Sequence, residues 1–189
     1  MNDKKQTIFV GVSGGVDSSV AAALLGEAGH NVVGVFIRTW QPEWMTCTWR
    51  DERQDAMRVC AHLGIPFLEC DLTDVYRDDV AQHMISEYRA GRTPNPDVLC
   101  NREIKFGVFR DYAKRLGGDL LATGHYARVQ AFDGATGLFK GADAGKDQSY
   151  FLHAVSAEAL AATVFPLGDM LKSDVRRIAH DHGLTVHRS

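Results

Sequence analysis

The stretch TIFVGVSGGVDSSVAAALLGEAGHNVVGVFIR, residues 7–38, restricts the fold more than any other part of the chain. A short, β-rich apolar run (7–13) stops at a glycine pair. An alanine- and leucine-rich segment (17–30) follows and halts at Gly29, and a second β-branched run (31–38) closes the unit. Strand, helix and strand in so little chain predict a βαβ unit, and hence a parallel sheet. Further strands are expected over 65–72 and 119–125, and helices over 51–64, 73–91 and 102–118. In the last helix Ile104, Val108, Tyr112 and Leu116 recur at i, i+4 and mark one face, closed by Gly117 and Gly118.

The fold class expected is therefore α/β, a doubly wound parallel sheet. Past the fourth strand the texture changes. YARVQAF and GLFKGAD flank DGATG as a hairpin would, and KDQSYFL (146–152) leads into helical stretches ending with KSDVRRIAHDHGL (172–184). The organisation expected is an α/β domain over 1–130, with a hairpin and helical extension over 131–189 packed on it.

A length of 189 residues suits one good core. With 21 basic against 24 acidic residues the formal charge is −3. That balance neither demands nor forbids a nucleic-acid partner, because a local basic patch can sit on an acidic protein. The four cysteines, Cys47, Cys60, Cys70 and Cys100, form no C-x-x-C pair, which argues against a zinc ribbon or a thioredoxin-like motif. No leader-like or membrane-spanning apolar run is present, so a cytoplasmic protein with reduced thiols and no membrane partner is expected.

SGGVDSS (13–19) sits where the first strand meets the first helix, outside a strand's carboxyl end, where open α/β sheets bind ligands. Gly14 and Gly15 have no side chain to stop the backbone closing round an anion. The hydroxyls of Ser13, Ser18 and Ser19 and the amides of the helix start can meet phosphate oxygens. Asp17 would repel that anion unless a cation intervenes, which suggests Mg2+. The Walker lysine and the G-x-G-x-x-G spacing are both missing, which argues against a kinase-type loop and a dinucleotide. Two adjacent glycines alone would favour a plain turn with a helix cap; the full string favours phosphate.

GRTPNPDVLCNREIKF (91–106) is the second informative stretch. Pro94 and Pro96 stiffen the backbone and push Thr93 and Asn95 toward extended conformations. Asp97 then serves as N-cap of the following helix, with Cys100 in its first turn on the same side. The helix dipole favours a thiolate there and Asp97 opposes it. On spacing alone, a capped helix with a half-buried cysteine outweighs a nucleophile.

SGGVDS resembles the pyrophosphate loop (PP-loop) of the ATP-pyrophosphatase group, enzymes that adenylate an oxygen and release pyrophosphate. With GRTPNPDVLCN, KF, ATGHY (122–126) and KDQSYFL following in order, essentially the whole chain resembles the tRNA-specific 2-thiouridylase family. These enzymes replace the 2-oxygen of the wobble uridine with sulfur. The resemblance implies an adenine-nucleotide alpha-hydrolase-like fold. It implies that Gly11, Val12, Ser13, Gly14, Gly15, Val16, Asp17 and Ser18 hold ATP together with Ile37 and Gly124. Cys100 would be the nucleophile and Asp97 its acid/base partner. Asn95, Pro96 and Asp97 would border the target base, and Lys146, Asp147 and Gln148 would touch the tRNA.

The implied cofactors are ATP and Mg2+, and the implied partners are a tRNA anticodon loop and a sulfur-donor protein carrying a persulfide. Reaching the uridine carbon requires the base to be flipped out, and a rigid PNP wall would help to hold it.

The family also uses a second, persulfide-bearing cysteine beyond the helix at 172–184, in a D-S-T-G-I-C-F-like segment followed by β-rich domains. This chain stops at LTVHRS and is expected to be a truncated form. Of the remaining cysteines only Cys47, in the aromatic loop 40–49, is placed to substitute, at long odds. Two alternatives stand beside the leading reading: another PP-loop synthetase acting on a small acid, and a non-catalytic nucleotide-binding module.

Other residues divide between function and packing. His125 at a strand's carboxyl end is evenly balanced between a structural role and one beside the nucleotide or base. Trp40, Trp44 and Trp49 suit base stacking or loop packing equally. His180 and His182 do not share a helix face, so a solvated surface is expected rather than a metal. Arg102, Lys105, Arg110, Lys114 and Arg115 could meet phosphates, but such runs are ordinarily a wet face.

Overall fold

The computed structural model describes residues 4–42 and 48–184. β1 (Thr7–Gly11), β2 (Asn31–Arg38), β3 (Phe67–Asp71), β4 (Leu120–Ala122) and β7 (Thr163–Val164) form one sheet in the order β3-β2-β1-β4-β7. Every pairing in it is parallel, with Ile8 opposite both Val32 and Leu120. The doubly wound expectation therefore holds. β7, two residues long, carries no pattern that the sequence could betray.

Alternation along β1 sends side chains to both faces. Ile8, Val10 and Val12 join one core with α1 (Val16–Glu27), α2 (Trp49–Leu63) and α8 (Lys172–Asp181). Phe9 joins a second core with Val35, Leu121, Ile104 and Phe109. A sheet covered on both faces needs strands that are apolar throughout, which is how β1 and β2 read. α1 lies between the sheet and α8, and its run Val20–Ala23 is buried on every side. Alanines there allow the close approach that larger side chains would prevent.

The other helical elements include two stretches of wide π turns. α3 (Thr73–Val75) continues through a π segment, Tyr76–Ala81, into α4 (Gln82–Arg89). α5 (Pro96–Leu99) continues through a longer one, Cys100–Val108, into α6 (Phe109–Arg115). The i, i+4 face expected in this second run holds only in part. Ile104 is fully buried and Val108 and Tyr112 are half-buried against the second core, but Leu116 is 52% exposed. Phe106, Phe109 and Ala113 join Ile104 as the fully packed residues of the run. A π turn closes i→i+5 hydrogen bonds, as the Phe109 amide does with the Ile104 carbonyl. It therefore moves the face on by one residue.

The hairpin β5 (Ala127–Phe132) and β6 (Ala135–Lys140) turns on Asp133 and Gly134 alone, both at positive φ (49° and 74°). That is the Asp-Gly type I′ signature, so the rest of DGATG belongs to β6 rather than to the turn. A 3-10 turn at Ser149–Leu152 and α7 (Ala157–Ala161) complete the chain. Among the described residues, no helix is long and apolar enough to cross a membrane.

Candidate functional site

β1 has β2 on one side and β4 on the other, so the chain's winding reverses at β1 and β4. The loops leaving their carboxyl ends part there, which is where doubly wound sheets open a ligand crevice. The crevice is present, a cleft of about 340 Å³. The loop after β1 lines it with Gly11, Val12, Ser13, Asp17 and Ser18, the loop after β4 with Thr123, Gly124 and His125, and β2 with Phe36 and Ile37. Cys100, Ile104 and Lys105 close the far wall, with Thr39, Glu52 and Gln148 at the margins.

At the nucleotide end the backbone is shaped by glycine. Gly14 has φ +77°, and a Cβ there would lie 2.6 Å from Asp55 Cβ. Gly15 is the N-cap of α1 and no side chain caps the first turn, which leaves those amides for an anion. A Cβ on Gly124 would stand 2.8 Å from Asp17 C and Ser18 N, so the loop after β4 meets the first turn of α1 by backbone contact.

The hydroxyls bind within the loop. Ser18 Oγ accepts from the Ser13 amide (3.2 Å) and donates to the Gly15 carbonyl (3.2 Å). Ser19 Oγ donates to the same carbonyl at 2.7 Å. Ser19 is fully buried, so its expected phosphate contact gives way to a role inside the loop.

Asp17 was expected to need a cation, and the protein supplies one. Lys172 Nζ, at the start of α8, donates to both carboxylate oxygens at 2.6 and 2.8 Å, and Tyr126 Oη donates to Oδ1 at 2.9 Å. Burial and the Asp17 carboxylate both push the Tyr126 phenol well above its ordinary range, so it stays a donor. The Lys172 amide in turn donates to Asp143 Oδ2 at 2.9 Å, which fixes the start of α8. Lys172 lies far from Asp17 in sequence, and only tertiary folding brings them together.

At the thiol end the helix begins two residues earlier than expected. Asn95, not Asp97, is the N-cap: its Oδ1 accepts from the Asp97 and Val98 amides at 3.0 and 3.4 Å, and Pro96 takes the first helical position. Asp97 is exposed and does not line the cleft. Cys100 is half-buried and faces it. Burial pushes its thiol up, Lys105 pulls it down and Asp97 pushes it up again, so the thiolate expected from the helix dipole is not favoured. Next to it Asn101 is buried, and its Nδ2 donates to the Phe151 carbonyl at 3.0 Å, tying the thiol segment to the 3-10 turn.

His125 lies between the two ends. Thr123 Oγ1 is 2.7 Å from its Nδ1, and the rings of Phe106 and Phe165 lie about it at centroid distances of 5.9 and 6.0 Å. Burial, helped by Lys105, pushes the imidazole down to about 3, so it is neutral at physiological pH. The Thr123 hydroxyl is buried and has no other partner among the described residues, so it and the neutral imidazole satisfy each other.

The remaining residues divide clearly. Asn95, Pro96, Asp97, Lys146 and Asp147 do not line the cleft, whereas Gln148 does. Asp147 accepts from the Gly141 and Ser149 amides (2.9 and 3.2 Å) and the Ser149 hydroxyl (2.9 Å), and Gln148 Oε1 accepts from the Tyr126 amide (3.0 Å). Both side chains thus hold the segment's own conformation, while Lys146 is exposed.

Cys60 and Cys70 are packing residues. Burial pushes each thiol up to about 11, and the side-chain space of Gly34 is filled by Cys60 Sγ. Trp49 packs on the first core, with the Arg38 guanidinium 4.2 Å above its ring. Trp44 and Cys47 lie outside the described residues.

Among solved structures, the fold is similar to the U34-tRNA thiolase NcsA from Methanococcus maripaludis. The TM-score is 0.63 at 19% identity, covering 98% of this chain and 60% of that one. NMN synthetase from Francisella tularensis gives 0.56 at 16% identity, over 95% and 62%. Among curated proteins, the tRNA-specific 2-thiouridylase MnmA of Pseudomonas fluorescens is 53% identical over 185 residues, which is 97% of this chain and 50% of that protein. The same-named protein of Hahella chejuensis is 53% identical over 186 residues, 97% and 51%. The chain thus spans about half the length of the curated relatives it matches. The profile of the tRNA methyl transferase HUP domain runs through every strand of the sheet and both ends of the cleft, over residues 6–189, and the chain belongs to that family.

Proposed function

We propose that this chain is the nucleotide-binding and base-activating part of a tRNA 2-thiouridylase. The uridine O2 attacks the α-phosphorus of ATP, pyrophosphate leaves, and the carbonyl oxygen becomes part of an AMP leaving group. The terminal sulfur of the donor's persulfide then attacks C2 and AMP departs with the original oxygen. The Cys100 thiolate attacks the inner sulfur, so that the S–S bond to the transferred sulfur breaks. A disulfide forms between Cys100 and the donor cysteine, and the sulfur stays on C2. One observation carries this reading: Ser13, Asp17 and Ser18 of the glycine–serine loop line the same cleft as Cys100, whereas Gly14, Gly15 and Val16 shape the loop without lining it. A synthetase of small acids has no use for a thiol there.

In this reading Gly11 to Ser18, Ile37 and Gly124 hold ATP, and the uncapped first turn of α1 receives its phosphates. Cys100 is the nucleophile and Asp97, one turn before it, the acid/base group. Asn95 and Pro96 border the flipped base, and the exposed Lys146 meets the tRNA backbone. The 2-thiouridylase naming of relatives at 53% identity supports tRNA as substrate. We infer a persulfide-carrying protein as the sulfur donor.

Magnesium has no protein-built cage here. Both Asp17 oxygens are engaged by Lys172, and among the described residues no cluster of three His, Cys, Asp or Glu side chains could hold a metal. We infer that Mg2+ arrives on the ATP phosphates, as this ion commonly does.

Exchange of labelled pyrophosphate into ATP tests the proposal. Exchange that requires tRNA supports it. Exchange without tRNA but with a carboxylic acid would make the chain another synthetase, and ATP binding without either exchange would make it a binding module.

A further inference from the structure

The cleft that would receive a triphosphate and an anionic RNA is poor in positive charge. Asp17 is paired with Lys172, Glu52 is an acid, His125 is neutral, and Lys105 is the one cation among the described lining residues. Lys105 does not sit at the glycine–serine loop, where a phosphate-binding lysine would be expected. It sits on the wall that carries Cys100.

The backbone explains how it gets there. On an α-helix, residue i+5 points about 140° away from residue i, given 3.6 residues per turn. Cys100–Val108 is a π segment, in which i→i+5 hydrogen bonds bring residue i+5 back over residue i. Cys100 and Lys105 are five apart, so one π turn returns the ammonium to the side of the sulfur.

We propose that Lys105 is the positioning residue for sulfur chemistry at Cys100, a cation returned to the thiol by the π turn, where it opposes the effect of burial and eases loss of the thiol proton when the sulfur reacts. This rests on the reading of Cys100 as the nucleophile. The other groups near the sulfur cannot do the same. Asp97, on the preceding turn, carries the wrong charge. Tyr76, from the π segment between α3 and α4, is itself pushed up by burial and then by Cys100 and Asp97, and stays a neutral phenol. His125, after β4, is neutral, and Glu52, from α2, is an acid. Burial alone would leave an inert thiol at Cys100, and Lys105 is the group that opposes it.

The test needs neither tRNA nor a sulfur donor, so its outcome is independent of the proposed reaction. Alkylation of this chain by iodoacetamide, an uncharged reagent, is followed against pH by mass spectrometry of the Cys100 peptide. In Lys105→Met the midpoint of the rate profile should rise by about one pH unit, the lower end of what a nearby opposite charge does. At pH 7.5 the rate should fall about tenfold, and Lys105→Arg should restore most of it.

Thermal melts of both variants should match the parent. A Met profile that overlays the parent's overturns the proposal, as does equal slowing in Met and Arg. A Met variant that loses ATP affinity with unchanged alkylation would make Lys105 a nucleotide contact instead. If Cys100→Ser still supported 2-thiouridine formation while the alkylation shift held, the reaction reading would fail and the charge pairing would stand.

Discussion

The two ends of the cleft are built on different rules. The nucleotide end is a strand, a tight glycine turn and a regular helix, and the serine hydrogen bonds that shape its loop join residues a few positions apart. The thiol end is a helix whose middle is wound wide, so neighbours on its surface are five apart rather than four. What the chain presents at the first end follows from local pattern. What it presents at the second depends on a change of pitch that spacing rules do not include.

The comparison breaks most easily at the buried face of the wide helix. Phe109 is fully buried and belongs to that face only because of the π turn, whereas Leu116 belonged to it only under α-helical spacing. Phe109→Ala should cost about 3–5 kcal/mol by leaving a cavity in the second core. Leu116→Ala, at an exposed position, should change stability by less than about 0.5 kcal/mol. Urea unfolding of the two variants decides it. Comparable losses would restore the i, i+4 face and remove the basis for placing Lys105 over Cys100.

The nucleotide end is sharpened by Gly124→Ala. The added methyl meets backbone atoms of Asp17 and Ser18, which cannot rotate away as a side-chain tip can. We expect a loss of up to about 3 kcal/mol in stability. ATP affinity, measured by titration calorimetry, should drop at least about tenfold, a change of about 1.4 kcal/mol in binding. An alanine variant that binds ATP like the parent would mean that the loop after β4 does not shape the phosphate end.

These two cases also mark what the sequence could carry. β1, the glycine loop, α1 and β2 were legible because strand, turn and helix chemistry all agree over residues 7–38. Asp133 and Gly134 were legible for the same reason, although their strand begins sooner than the turn residues suggested. Lys172 was not, because nothing within α8 says that its first residue reaches Asp17. The role of Lys105 was not either. Its charge looks like that of Arg102 or Lys114, and only the pitch separates it from a wet surface.

His125, between the two ends, gives a pH signature. Folded, its imidazole takes a proton only near pH 3, against an ordinary value of 6.5. Above 6.5 neither state is protonated and the group contributes nothing to pH dependence. As pH falls below 6.5 the unfolded chain binds a proton that the folded one refuses, so stability declines until about pH 3. At pH 5 the loss should be about 2 kcal/mol relative to pH 7.5, at 1.36 kcal/mol per unit. His125→Gln should flatten that slope. A parent protein equally stable at both values would show that the imidazole is not held neutral.

The smallest expected effect tests where the thiol helix starts. Asn95 Oδ1 is the acceptor for two amides of the first turn, whereas the Asp97 side chain caps nothing. Asn95→Ala should therefore cost about 1 kcal/mol, the usual value of a lost N-cap. Asp97→Ala gives up only its favourable place at the positive end of the helix, about 0.3–1 kcal/mol, and that part fades with added salt. Denaturant curves at low and high salt separate the two, because a capping hydrogen bond is insensitive to screening. If the Asp97 variant were the less stable one in high salt, the cap would lie two residues later. Cys100 would then return to the first turn, where the dipole, rather than Lys105, would set its charge.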